Sequence, residues 1–167
     1  MWKKSLLLIP ALLFTGMSFV DVVYYPSYKP VLMTRSNLEA SVALHPQALP
    51  IEYPTKLYVY QTWIFLVEKY KGLHLIDNTD PKNPVRTAFL TIPGCQDVAV
   101  ANGMLYVDNA IDLVGVSVDL DALTAHEVSR VRGVLPELVG PDGYIPSAYR
   151  RKNRPDHTEI VAWIPSN

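Results

Sequence analysis

The sequence predicts an all-β fold, and three observations carry that prediction. From Lys56 onward, short apolar runs succeed one another at near-regular spacing, each rich in Val, Ile, Leu or an aromatic. Asp, Asn, Gly and Pro clusters separate the runs, as turns between strands require. Ten tyrosines and fourteen prolines in 167 residues favour strands and turns over long helices. The balance of 49% apolar and 19% charged residues is that of a globular chain. A formal net charge of −1 supplies no basic field for phosphates, so no nucleic-acid partner is expected.

In chain order the first element is a targeting segment. Lys3 and Lys4 form a positive region, and Ser5 to Val20 form an apolar core ended by Asp21, the pattern of a signal peptide over residues 1–18. Sixteen residues interrupted by Pro10, Gly16 and Ser18 fall short of the ~20 needed to span a bilayer, so the membrane is a partner only if this segment stays uncleaved. "LLFTGM" has the look of a lipoprotein signal, but Met17 stands where such a signal needs a cysteine, and a thioether cannot be acylated. Cleavage after Ser18 removes two lysines and no acid, shifting the net charge from −1 to −3. The chain is therefore read as exported to the periplasm, outer surface or medium.

Residues 19–55 hold prolines at 26, 30, 46, 50 and 54 and read as an extended, wrapping leader. Ser36 and Glu39 have capping-box spacing, which predicts a short helix over 37–43. His45, just before Pro46, reads as a surface loop residue without a second metal ligand nearby.

The strand candidates follow: "KLYVYQ", "WIFLVEKY", "GLHLID", "VRTAFLTI", "DVAVAN", "MLYVDN" and "DLVGVSVD". Residues 63–92 can be laid over residues 104–134, with Val67 meeting Val107 and Asp77 meeting Asp119, offsets of 40 and 42. Short strands so spaced suit a sandwich, a barrel or a propeller, and a period in this range is that of a four-stranded propeller blade. The fold class expected is thus an incomplete β-propeller with about two recognisable blades over 56–135. The overlay also makes Glu127–Arg132 a strand, although "ALTAHEVSRVRG" has local helix propensity. Residues 136–167 read as a loop-rich tail with one strand, "EIVAWI", that starts further repeats. The 149 residues beyond the signal amount to about 3.5 blades, so strand edges are expected to stay open to self-association or to a completing partner.

"GLHLIDNTDPKNP" resembles the LVIVD repeat of exported bacterial β-propeller-like proteins, with an apolar strand, an Asp, a turn and "DP..P". The likeness spans about 56–135, and "YKPVLMTRSNLEAS" and "GCQDVAVANGMLYVDN" also resemble family members from Bacteroidetes-type bacteria. The second copy departs from it, with "DLDALTAHE" in place of "DNTDPKNP". The resemblance implies a fold and export and brings no activity with it.

No catalytic, cofactor-binding or metal-binding residue is assigned. Cys95 is the sole cysteine, so no intramolecular disulfide forms, and it reads as a small buried residue. Asp77, Asn78 and Asp80, with Asp108, Asp112, Asp119 and Asp121, offer oxygens for calcium but lack EF-hand spacing and read as turn caps. His74, between Leu73 and Leu75, reads as a hydrogen-bonded histidine within an apolar strand, and His126 and His157 as isolated. "YRRKNRP", Tyr149 to Pro155, reads as a solvated loop offset by Asp156 and Glu159. The function expected is a non-catalytic binding or scaffold module of the cell envelope, with a protein or glycan as partner. The alternative is an envelope enzyme, a hydrolase or lyase on glycans, with its site in blade loops.

Overall fold

The computed structural model describes residues 27–166, so the targeting segment and Met17 lie outside the described residues. Three antiparallel sheets make up the fold, none of them closed into a barrel. The seven strands expected from Lys56 to Asp119 are all present: β3 (Pro54–Tyr60), β4 (Trp63–Glu68), β5 (Gly72–Asp77), β6 (Val85–Thr91), β7 (Val98–Ala101), β8 (Met104–Asn109) and β9 (Asp112–Asp119). β10 (Thr124–Val131) is a strand as well, so pairing with β9 overrides the local helix propensity of its sequence.

The leader is more than a wrapping segment. β1 (Tyr28–Thr34) pairs with the tail strand β11 (Thr158–Pro165), bringing the two ends of the described chain together, and β2 (Ala43–His45) adds to the edge of β6. His45 is thus the exposed last residue of a strand rather than a loop residue. The helix lies earlier than expected, as α1 (Arg35–Glu39). Thr34, not Ser36, is its N-cap and accepts a hydrogen bond from the Asn37 amide at 3.3 Å. Glu39 cannot close a capping box because its carboxylate is held by Arg35 and Arg132.

Two of the sheets contain equivalent meanders. The order β3-β4-β5-β6 in one is matched by β7-β8-β9-β10 in the other. Both open on a two-residue hairpin: Tyr60 faces Trp63 across Gln61 and Thr62, and Ala101 faces Met104 across Asn102 and Gly103. Gln61 and Asn102 have φ of 54° and 52°, the left-handed conformation a tight hairpin needs at that position. Both meanders also end alike. The Ile92 amide donates to the Lys71 carbonyl and the Leu135 amide to the Ile111 carbonyl, each at 2.9 Å. Ile92 and Leu135 are each followed by proline, 43 residues apart, and Leu49-Pro50 lies another 43 residues earlier.

Superposing the hairpins moves Trp63 onto Met104, and hence Val67 onto Asp108 rather than onto Val107. That one-residue correction to the expected overlay reverses the face on which every side chain lies. Phe65, Val67, Leu73 and Leu75 from the first sheet share one core with Leu105, Val107, Val114 and Val116 from the second. In hairpin register Phe65 corresponds to Tyr106, and Leu105 to Ile64. The two sheets therefore meet through opposite faces in hairpin register. The first sheet keeps its Ile64 and Leu66 face free of this core, and the second its Ala99 and Tyr106 face.

Candidate functional site

The expected candidates are largely absorbed by the fold. Asp77 accepts the Thr79 amide at 2.8 Å, and Asp119 accepts the amides of Asp121 and Ala122 at 3.0 and 2.8 Å, so β5 and β9 end on the same kind of turn. Asp80 accepts from the Lys82 amide and the Asn83 side chain. Among the described residues no group of three or more His, Cys, Asp or Glu is placed to hold a metal ion. Cys95 is fully buried, and burial first, then the charges of Asp108 and Asp97, pushes its thiol well above the ordinary range, the opposite of what a nucleophile needs.

His74 is buried and hydrogen-bonded, with Nε2 3.0 Å from Glu68 Oε2 and its ring edge-on to Phe89 at 4.8 Å. The Glu68 carboxylate also accepts the amides of Glu52 and Tyr53 at 3.1 and 2.5 Å, just ahead of β3. Burial raises its pKa, but the Tyr53 amide, His74 and the Glu52 amide outweigh it and hold the carboxyl below the ordinary range. Near the same end of β8, Asp108 accepts the amides of Gln96 and Asp97 at 3.2 and 2.7 Å, just ahead of β7. In each meander a carboxylate late in the second strand anchors the entry of the first. Both the histidine and Glu68 are about 1% exposed, so a buried acid–base pair exists that no substrate can reach.

A second set of charges was not legible as a unit in the sequence. Asp112, fully buried at the start of β9, accepts on Oδ1 from Arg35 Nη1 and the Gly133 amide, each at 3.0 Å, and on Oδ2 from Arg130 Nη1 at 2.7 Å and from Arg35 Nη2. Arg130 reaches on to Glu127 and to Asn109 Oδ1, and Arg35 and Arg132 both reach Glu39. The network fastens α1 to the end of the second meander. Burial raises the Asp112 pKa, and the hydrogen bonds from Arg35, Arg130 and Gly133 more than reverse this, leaving it lowered. Hydrogen bonds from Arg132 and Arg35 bring Glu39 down to about 2.

These lowered carboxyls set the acid behaviour. A group whose pKa is depressed by folding stabilises the protein above its unfolded value and loses that contribution as pH falls toward the folded one. Urea midpoints are therefore expected to fall as pH drops below about 4, where the buried carboxylates of Asp112 and Glu68 begin to lose their contribution, the surface pairs of Glu39 adding little. A midpoint that stays flat from pH 5 to pH 2 would contradict it.

"YRRKNRP" is not a solvated loop throughout. Arg154 is 5% exposed, donating from Nε to the Thr158 carbonyl and from Nη2 to Glu137 and Glu159 at 2.6 and 2.9 Å. Arg151 pairs with the same two acids. The segment fastens the 137–141 loop to β11. Asp156 takes no part in these pairs, whereas Glu159 does, as its position in the sequence suggests.

Accessible chemistry concentrates at Asp108, which lines two adjoining clefts. One, of about 380 Å³, runs between Lys69, Tyr70, Gln96 and the 135–141 segment. The other, of about 460 Å³, lies over Ala99, Tyr106, Leu113 and Leu135. Burial first, together with the charge of Asp97, raises the Asp108 pKa despite three backbone amide hydrogen bonds. No helix among the described residues is long and apolar enough to cross a membrane. Comparison with family models, with curated proteins and with solved structures finds no match.

Proposed function

We propose that the protein is an exported cell-envelope module of the LVIVD-repeat kind, an open propeller-like array that acts by binding or scaffolding rather than by catalysis. The reading of propeller-like units draws support from the matched hairpins, the 43-residue spacing of Leu49-Pro50, Ile92-Pro93 and Leu135-Pro136, and the meeting of the two meanders through opposite faces. The observation that carries the non-catalytic role is the deployment of the acids. Glu68, Asp77, Asp112 and Asp119 spend their oxygens on backbone amides and guanidiniums, and the buried histidine is sealed behind Glu68. A protein or glycan would then be held by loops and sheet faces.

Asp108 favours a second reading, an envelope enzyme on glycans with this carboxyl as a proton donor in its cleft. The purified protein is expected to bind members of an envelope glycan or protein panel without converting them. Turnover of any glycan that disappears in Asp108→Asn would reverse the ranking. For the export half of the proposal, mass spectrometry of protein recovered outside the cytoplasm should give a chain starting near Phe19. A retained Met1 or a diacylglyceryl mass would reject it.

A further inference from the structure

Two clefts meet at Lys69, Tyr70 and Pro141. The first is the cleft of about 380 Å³ that also holds Gln96 and Asp108. The second, of about 430 Å³, is walled by Tyr28, Tyr53, Tyr70 and Trp163. Each has the size of a small-molecule site, and together they set aromatic surface at one end of a groove and hydrogen-bonding side chains at the other.

The fold enforces where two of these tyrosines stand. Tyr70 has φ of 66°, a left-handed conformation that a bulky residue adopts only when its surroundings impose it. Its amide donates to the Cys95 carbonyl at 2.7 Å, and its carbonyl accepts the Gly94 amide at 2.9 Å. The turn itself does not ask for an aromatic ring, because the turn between β8 and β9 puts Ala110 in the same conformation, with φ of 58°. Tyr53 is 68% exposed, yet its backbone is pinned on both sides: its amide donates to Glu68, and its carbonyl accepts the Lys69 amide at 3.0 Å. The sealed Glu68–His74 pair thereby holds an exposed ring in place. Two polar side chains where the clefts meet are uncommitted. Lys69 Nζ lies 5.0 Å from the Tyr70 ring centre and has no ion pair among the described residues, and the Gln96 side chain has no hydrogen-bond partner among them.

We propose that this groove binds a neutral oligosaccharide, its sugar rings laid against Tyr53 and Tyr70 and its hydroxyls bonded to Gln96, Lys69 and Asp108. Aromatic rings pack on the C–H faces of a pyranose, while amide, ammonium and carboxylate groups fix its hydroxyls and hence its orientation. The charges select a neutral chain. One cation and one carboxyl share the first cleft, and Glu137, the other acid there, is tied to Arg151 and Arg154. An anionic chain would meet Asp108, and a cationic one Lys69. The inference rests on the binding role proposed above and names its ligand class and its site.

Isothermal titration with short cello-, chito- and manno-oligosaccharides tests it. At least one series should bind, with an affinity that holds as salt rises from about 0.05 to 0.5 M, since no ion pair is there to be screened. Tyr53→Ala should weaken that binding at least tenfold and leave the melting midpoint unchanged, because the ring is mostly in solvent and the bonds that pin Tyr53 are made by its backbone. Gln96→Ala should weaken it about fivefold. Oligosaccharide binding that survives both substitutions would overturn the groove as the site and leave the binding role standing. Binding of a proline-rich peptide that is lost in Tyr53→Ala, with no oligosaccharide bound, would overturn the ligand class and assign the groove to a protein partner. Affinity for none of the three series would overturn the inference, and only failure across the wider envelope panel would sink the binding role with it.

Discussion

Asp112→Ala is expected to destabilise the protein by about 3–5 kcal/mol, a large share of a typical domain's stability. The carboxylate is fully buried and is shared by Arg35 and Arg130, whose guanidiniums would be left facing each other across the gap with the Gly133 amide also unpaired. Arg35 opens α1, so the loss should spread. α1 is tied through the Arg35 amide to the His157 carbonyl at 2.7 Å, and through β1 to β11. Amide exchange should therefore accelerate in β1, α1 and β11 before it does in β4 and β5. Arg132→Ala is the control, because that side chain is 64% exposed and its pair with Glu39 lies at the surface. Chemical denaturation of both variants checks the contrast, and equal small effects would show that Asp112 does not organise this end of the fold.

The second large effect is expected at Phe65. It is 2% exposed in the core between the sheets, and truncation to alanine should cost about 3–5 kcal/mol through lost burial and the cavity left behind. Its chain neighbour Ile64 is half-buried on the opposite face, outside this core, and Ile64→Ala should cost less, about 1 kcal/mol. The pair is informative because adjacent residues of one strand differ only in face. Similar losses at both, measured by urea unfolding, would mean that the face assignment is wrong.

Strands and turns were the legible part of this sequence, because their signals are local. The Asp77 and Asp119 turn caps each lie within three residues of what they control, and β9 has the bounds expected of "DLVGVSVD". The strand in place of a helix at 124–131 was also legible, but only through comparison of the two copies. Pairing between distant segments was not. Nothing near Tyr28 announces that its partner is Pro165, and Pro30 within β1 argues locally against a strand. Arg35 and Asp112 are 77 residues apart, so their bidentate pair has no sequence spacing to betray it, and Asp112 read as one of several candidate turn acids. The helix start slipped because two hydroxyls, Thr34 and Ser36, compete for one capping role and the acid meant to complete the box was claimed by arginines. The overlay was off by one residue for a related reason. Val67 and Val107 are both buried valines, and hydrophobicity matches them although hairpin geometry does not.

The central claim, that two equivalent meanders stack through opposite faces, is most directly tested by methyl and aromatic nuclear Overhauser effects in the labelled protein. Phe65, Val67, Leu73 and Leu75 should show cross-peaks to Leu105, Val107, Val114 and Val116, with Ile64 and Leu66 showing none to that set. Cross-peaks from Phe65 and Val67 to Tyr106 and Leu113 instead would place the same face of each unit at the contact and contradict the stacking.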